Sequence, residues 1–172
     1  MDRQIVDNYL DEDVFEELLQ HINEVHFNEA DEYYSKNQGY GDFGYVSDRS
    51  EKLESWQGCL RSDNLVLFYE DVVDQIKEDF GIFIERLEFF RHPLERFPKP
   101  MFDIKESIPK HIDALFERSG VLYLTGSKGQ GTLIDDEYIE WAPNRIVTFP
   151  SLTYHTPVYG GTDRVAFTFF GR

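Results

Sequence analysis

His111-Ile112-Asp113 places an imidazole and a carboxylate two residues apart, and His155 supplies a second isolated imidazole further along the chain. In extended backbone, residues i and i+2 point to the same side, so His111 and Asp113 can reach one metal ion while Ile112 packs the other way. Two imidazole nitrogens and one carboxylate occupy one face of an octahedron and leave the opposite face open, which suits a mononuclear non-haem Fe(II) that must take up further ligands. Arg164 lies close behind in sequence, and a guanidinium grips a carboxylate through two parallel hydrogen bonds. Each residue also has an ordinary alternative. A lone core histidine usually satisfies a hydrogen bond, and an arginine in so acidic a chain can pair with a surface carboxylate.

Spacing links the last two of these residues. The run 154–170 reads as a hairpin turning at Gly160-Gly161, a pair suited to the positive φ of a tight turn. About that turn His155 lies opposite Ala166, and Arg164 falls on the same face one diagonal step nearer the turn. Such a step is roughly 7 Å, the reach of a short dicarboxylate between a metal and a guanidinium.

Rigid elements must hold such a set in place. The spacing of Val14, Phe15, Leu18, Leu19, Ile22 and Val25 predicts an amphipathic helix over 11–27, with Asp11 as its N-cap. A second helix, through Leu65, Leu67, Phe68, Val72, Val73, Ile76 and Phe80, is predicted to end at Gly81. Residues 82–90 are rich in β-branched and aromatic side chains and read as a strand, and 91–100, with three prolines, as a connection or an edge. Short strands follow at 101–106, 120–124, 132–134, 138–141, 145–149, 154–159 and 165–170. About eight evenly spaced strands suggest a β-sandwich or an open barrel of jelly-roll type. Between them, Gly126–Thr132 and Asp135-Asp136-Glu137 read as turns, the first lacking the Gly-Lys-Ser/Thr of a phosphate loop.

A chain of 172 residues, 41% hydrophobic and 16% aromatic, can bury one core. We read it as a single domain over 1–172, with helical support in 1–80 and the β core in 81–172. Within the support, 37–45 alternates glycines with aromatics and is a candidate lid over the site. A formal charge of −16 disfavours nucleic acid as a partner and fits a neutral or cationic substrate, although acidity also serves solubility alone. The lone Cys59 excludes an internal disulfide and points to a reducing compartment. The opening Met1-Asp2-Arg3-Gln4 leads into no apolar run, and no run reaches membrane-spanning length, so the expectation is a cytoplasmic protein without a membrane partner. His21, His26 and His92 receive no role.

The motifs taken together resemble the 2-oxoglutarate and Fe(II)-dependent dioxygenases, in particular their prolyl-4-hydroxylase-like branch, over about residues 101–172. His111-Ile112-Asp113, Val121-Leu122-Tyr123-Leu124, Gly129-Gln130-Gly131-Thr132-Leu133, Asn144-Arg145-Ile146-Val147-Thr148-Phe149, His155 and Arg164 follow that branch in order and spacing. Two residues depart from it. Gln130 stands where the first glycine of a Gly-Gly pair is usual, which alters the site mouth. Ala166 stands where another branch has a carboxylate-binding serine, which gives Tyr123 more weight.

The resemblance implies a mainly β fold with supporting α, a double-stranded β-helix (jelly roll, cupin-like) with the N-terminal helices packed on one sheet. It implies Fe(II) held by His111, Asp113 and His155, with Arg164 on the distal carboxylate of 2-oxoglutarate and Tyr123 as a hydroxyl donor to it. The activity implied is a dioxygenase that consumes O2, with ascorbate as a further candidate cofactor, and couples decarboxylation of 2-oxoglutarate to hydroxylation of a C–H bond. Its substrate would be a small molecule or peptide, a prolyl residue or free proline by branch. The competing expectation is a cupin-like module that binds a metal or small carboxylic acid without catalysis.

Overall fold

Alternation along one strand shows how the chain divides its two faces. In β10 (Arg164–Gly171), Phe167 and Phe169 enter one apolar cluster and Ala166 a second, as the period of two requires. The computed structural model describes residues 2–30, 59–62, 64–100 and 111–172. Among them β10 is central in a seven-stranded antiparallel sheet of order β1-β8-β5-β10-β4-β3-β2. The other strands of this sheet are β1 (Gln4–Val6), β2 (Asn28–Glu29), β3 (Leu60–Arg61), β4 (Ile84–His92), β5 (Arg118–Thr125) and β8 (Ile146–Pro150). A three-stranded sheet, β7-β6-β9, contains β6 (Gly131–Ile134), β7 (Glu137–Glu140) and β9 (His155–Val158).

Two helices cover the outer face of the large sheet, as expected. Phe15 and Leu18 of α1 (Glu12–His21) and Val72, Ile76 and Phe80 of α2 (Glu70–Phe80) pack with Leu87, Phe89, Leu122, Phe167 and Phe169. Each fully buried Leu or Phe there contributes about 1.5–3 kcal/mol. On the inner face Val121, Tyr123, Val147, Phe149 and Ala166 meet Ile134 and Ile139 of the small sheet. The result is the mainly β jelly roll with helical support that the sequence suggests.

Several boundaries differ from expectation for identifiable reasons. Helix α1 stops at His21, not near 27, because its last turn tightens to bonds such as Glu24 N–H to the His21 carbonyl. Asp11 occupies the N-cap position, but its side chain caps nothing. Helix α2 begins only at Glu70. Before it, Val66–Phe68 form a 3-10 turn with Leu67 and Phe68 81% and 77% exposed, so these two side chains stay out of the core. Gly81 ends α2 in the left-handed conformation, as its position predicts. Strand β4 runs on to His92 and stops at Pro93, which carries the chain further than the expected 82–90.

The largest correction concerns the hairpin over 154–170. Strands β9 and β10 do not pair. His155 of β9 faces Ile134 of β6, whereas Ala166 of β10 faces Phe90 of β4 and Tyr123 of β5. Gly160 and Gly161 do take positive φ, 98° and 85°, but their turn carries the chain from the small sheet across to the large one. The candidate lid at 37–45 and the strand expected at 101–106 lie outside the described residues. No helix among the described residues is long and apolar enough to cross a membrane.

Candidate metal centre

His111 and His155 bond to each other through their backbones, each N–H donating to the other's carbonyl at 2.9 Å. Directly opposed residues of an antiparallel bridge present their side chains on one face, and here the two imidazole centroids lie 4.4 Å apart. Asp113 comes two residues after His111, its N–H anchored to the Ser151 carbonyl at 2.8 Å. Ligand atoms of His111, Asp113 and His155 all fall within 4.8 Å of one another, and all three residues are buried. This set could hold one metal ion.

Surrounding groups fix each donor. The Ser119 hydroxyl donates to Asp113 Oδ2 at 2.6 Å and lies 2.8 Å from the Ser151 hydroxyl. His155 Nδ1 donates to the Thr153 carbonyl at 2.9 Å, which leaves Nε2 as the nitrogen that could coordinate a metal, 3.2 Å from Asp113 Oδ2. Such outer partners orient a ligand ring and raise its basicity. Sequence reasoning did not single out Ser119, because a serine at a strand start carries no signal until its partner is known.

Without a metal Asp113 and His155 shift each other's titration. Burial lowers the His155 pKa, but the Asp113 charge and the Thr153 carbonyl outweigh it, and the net shift is upward from 6.5. Burial raises the Asp113 pKa, yet His155, His111 and Ser119 bring it below its ordinary value. A divalent cation must displace the proton on His155 Nε2. Because that pKa is raised, Mn(II) affinity should begin to fall while pH is still above 6.5, then drop by about tenfold per pH unit. Calorimetry from about pH 8 to about pH 5 reads this; an affinity flat over that range contradicts a protonated His155.

The triad opens on a cavity walled by Phe90, Val121, Phe149, Pro157 and Phe170. Ser119, which holds Asp113, is level with Phe170 at one end of β10, and Arg164 stands at the other end, opposite His92. Arg164 is 2% exposed and lines the cavity. It donates through Nη2 to the Gly131 carbonyl at 3.2 Å and through Nη1 to His92 Nδ1 at 3.3 Å, with its guanidinium 5.7 Å from the centroid of the Tyr123 ring. No carboxylate pairs with it among the described residues, and its Nε has no hydrogen-bond partner. Among the described residues no anion offsets the desolvation of this guanidinium.

Tyr123 is fully buried, and burial pushes its pKa up to about 12, so the hydroxyl keeps its proton. That proton goes to Thr132 Oγ1 at 2.8 Å, and it is Thr132 that lines the cavity. Gly131 admits no side chain: its φ is +156°, and a Cβ there would lie 2.0 Å from the Ile139 carbonyl oxygen. Gln130 is a clip. Its Oε1 accepts from the Ser127 N–H at 3.0 Å, and its Nε2 donates to the carbonyls of Gly160 and Thr162 at 3.0 and 3.2 Å. His92, given no role from sequence, is 0% exposed beside Arg164. Its signal was parity: a strand continued past residue 90 puts residue 92 on the same face as Phe90.

Neither a family model nor a curated protein sequence matches this chain. Its fold is similar to that of a prolyl hydroxylase solved in complex with a hypoxia inducible factor peptide fragment, from Trichoplax adhaerens, with a TM-score of 0.56 at 15% identity, covering 98% of this chain and 83% of that one. A 2OG-Fe(II) oxygenase family oxidoreductase from Burkholderia pseudomallei gives 0.60 at 12%, covering 98% and 84%. The non-heme alpha ketoglutarate dependent epimerase SnoN from nogalamycin biosynthesis gives 0.57 at 9%, covering 97% and 76%. At these identities the likeness is one of fold alone, a jelly roll.

Proposed function

We propose that the chain is a non-haem Fe(II) dioxygenase that couples oxidative decarboxylation of 2-oxoglutarate to hydroxylation of a C–H bond. One observation carries this reading: a buried guanidinium without a carboxylate among the described residues, Arg164, shares an apolar cavity with a buried His-Asp-His group. A metal alone would not call for the guanidinium. A small dicarboxylate answers both ends.

In this reading His111, Asp113 and His155 would hold the iron through two imidazoles and one carboxylate, a donor set suited to Fe(II). When bound, the iron supplies the oxidising chemistry, in which O2 and 2-oxoglutarate yield succinate, CO2 and one oxygen atom for the substrate. The protein's own part is positional. Arg164 takes the distal carboxylate, Thr132 offers a hydroxyl whose oxygen is already supplied with the Tyr123 proton, and the Phe90, Phe149 and Phe170 rings keep water from the space between. Tyr123 thus acts on the carboxylate through Thr132 and by lying under Arg164. We further infer that the hydroxylated group is a prolyl residue or free proline, supported by the likeness to a prolyl hydroxylase whose solved complex holds a peptide.

The test is succinate formation from 2-oxoglutarate in air, with Fe(II) and ascorbate, alone and with a proline-containing peptide or a lysate as substrate source. Succinate above the level of metal-free protein is expected. Binding of Fe(II) and 2-oxoglutarate with no succinate under any of these conditions would replace the oxygenase reading by that of a binding module.

A further inference from the structure

Resting on the reading of the cavity as a 2-oxoglutarate site, we propose that Gln130 is a positioning residue for Arg164: its side chain sets where the guanidinium that takes the distal carboxylate stands. Arg164 opens β10 in the large sheet, whereas the Gly131 carbonyl that receives its Nη2 opens β6 in the small one. No ladder joins these two strands. The nearest backbone tie is the pairing of β6 with β9, whose last partners in this direction are Gly131 and Val158. Past Val158 the chain crosses between the sheets through Gly160 and Gly161, two glycines at positive φ with little conformational preference of their own. Arg164 follows that crossing directly, so whatever fixes the crossing fixes the guanidinium.

Gln130 takes over where the ladder stops. Its Nε2 donates to the Gly160 carbonyl at 3.0 Å and to the Thr162 carbonyl at 3.2 Å, while its Oε1 accepts from the Ser127 N–H at 3.0 Å. Both amide protons and the amide oxygen are engaged, and the residue is 2% exposed, so these bonds form away from competing water. The Ser127 and Thr162 hydroxyls meet beside it at 2.9 Å. The far side of the crossing is held separately, by the Gly161 N–H on the Phe97 carbonyl at 2.9 Å and by Asp163 on Arg91 at 3.1 Å. The side facing β6 is the one that sets Arg164 against the Gly131 carbonyl, and Gln130 governs that side. Arg164 is loosely held by itself, its bonds to the Gly131 carbonyl and His92 Nδ1 lying at the long end of the range, 3.2 and 3.3 Å. A two-pronged grip on a carboxylate needs its donors aimed at one place, so a crossing that drifts turns a directed contact into a diffuse one. The metal end is anchored elsewhere, through the His111–His155 bridge and the bond from Ser119 to Asp113. Gln130 therefore governs the preference for a dicarboxylate and leaves chelation at the metal end untouched.

Calorimetry on Mn(II)-loaded protein, which binds without turnover, tests this with 2-oxoglutarate and with 2-oxopentanoate, the same chain without the distal carboxylate. The parent should prefer 2-oxoglutarate. Gln130→Met keeps the length of the side chain without its hydrogen bonds, and Gln130→Asn keeps the amide but falls one methylene short of the two carbonyls. Each should weaken 2-oxoglutarate by about three- to thirtyfold and leave 2-oxopentanoate unchanged. A second comparison separates positioning from general loosening: in an Arg164→Met background, Gln130→Met should alter 2-oxoglutarate affinity by less than about twofold, because the residue it positions is gone. If Gln130→Met does not fold, Gln130→Asn takes its place in both comparisons. Variants that retain the full preference, weaken both acids equally, or lose the same factor with and without Arg164 overturn the role of Gln130 and leave the cavity reading standing. A parent that binds both acids alike refutes the cavity reading, and this proposal with it.

Discussion

Asp113→Ala should lower Mn(II) or Fe(II) affinity by more than about a hundredfold and abolish succinate formation. Loss of an outer partner of a metal ligand already costs ten- to a hundredfold, and Asp113 is the one carboxylate in the set. The argument has a second part, because Asp113 is 1% exposed and holds two neighbours. Without it the Ser119 hydroxyl loses its acceptor on Asp113 and His155 loses the charge that raises its pKa. The Asp113 pKa is depressed in the folded chain, so its stabilising contribution is present above 3.8 and disappears as pH falls through the lower folded value. At neutral pH the alanine variant should therefore be destabilised by about 1–3 kcal/mol. Asp113→Asn separates the two effects: it preserves volume and an acceptor for Ser119 but not the charge, should recover part of the stability lost in the alanine variant, and should still fail to bind metal. Parent-like metal affinity in the asparagine variant, by equilibrium dialysis, would remove Asp113 from the ligand set.

What could be read from sequence follows from what each signal reports. The spacing of His111 and Asp113 says that two side chains share a side, and the structure brings them together with His155. Parity along 154–170 says which residues share a face, but it does not name the partner strand. Gly160-Gly161 suits a tight hairpin and a crossing between sheets equally well, since positive φ is needed in either, and only the pairing of β9 with β6 and of β10 with β4 and β5 decides between them. Arg164 therefore reaches the cavity from a different sheet than His155, and the hairpin distance expected from sequence had no bearing on it. The parity that puts His92 on the face of Phe90 has a related limit, since it holds only if the strand runs past residue 90. The proline after His92 marks a strand end without saying that the last residue turns inward. Glu88 is another case, buried at the centre of an ion cluster with Arg61 and Arg86. An acidic residue in an apolar strand reads as a solvent-facing position until β3, short and remote in sequence, brings Arg61 against it. Helical periodicity over 65–80 failed at Leu67 and Phe68 because the pattern cannot show where the first turn starts.

Arg164→Met should remove 2-oxoglutarate binding without unfolding the protein. Truncating one partner of a buried charge pair costs about 2–5 kcal/mol, which is roughly 30- to 5000-fold in affinity. In the ligand-free protein opposing terms nearly offset. Methionine relieves the desolvation of a buried cation that has no carboxylate among the described residues, but it leaves the Gly131 carbonyl and His92 Nδ1 without their donor, at about 1–3 kcal/mol each. It also forfeits the contact with the Tyr123 ring, worth up to about 2 kcal/mol when desolvated. The signature is therefore a lost ligand response. In the Mn(II)-loaded parent, 2-oxoglutarate at a hundred times its Kd adds about 2.7 kcal/mol and should raise Tm by roughly 5–10 °C for a chain of this size. In Arg164→Met the same concentration adds at most about 0.9 kcal/mol and should move Tm by no more than about 3 °C, while 2-oxopentanoate affects both proteins alike. Arg164→Lys keeps the charge without the planar fork and should fall between them. A methionine variant that still shifts with 2-oxoglutarate as the parent does would place the carboxylate elsewhere and take the strongest support from the oxygenase reading.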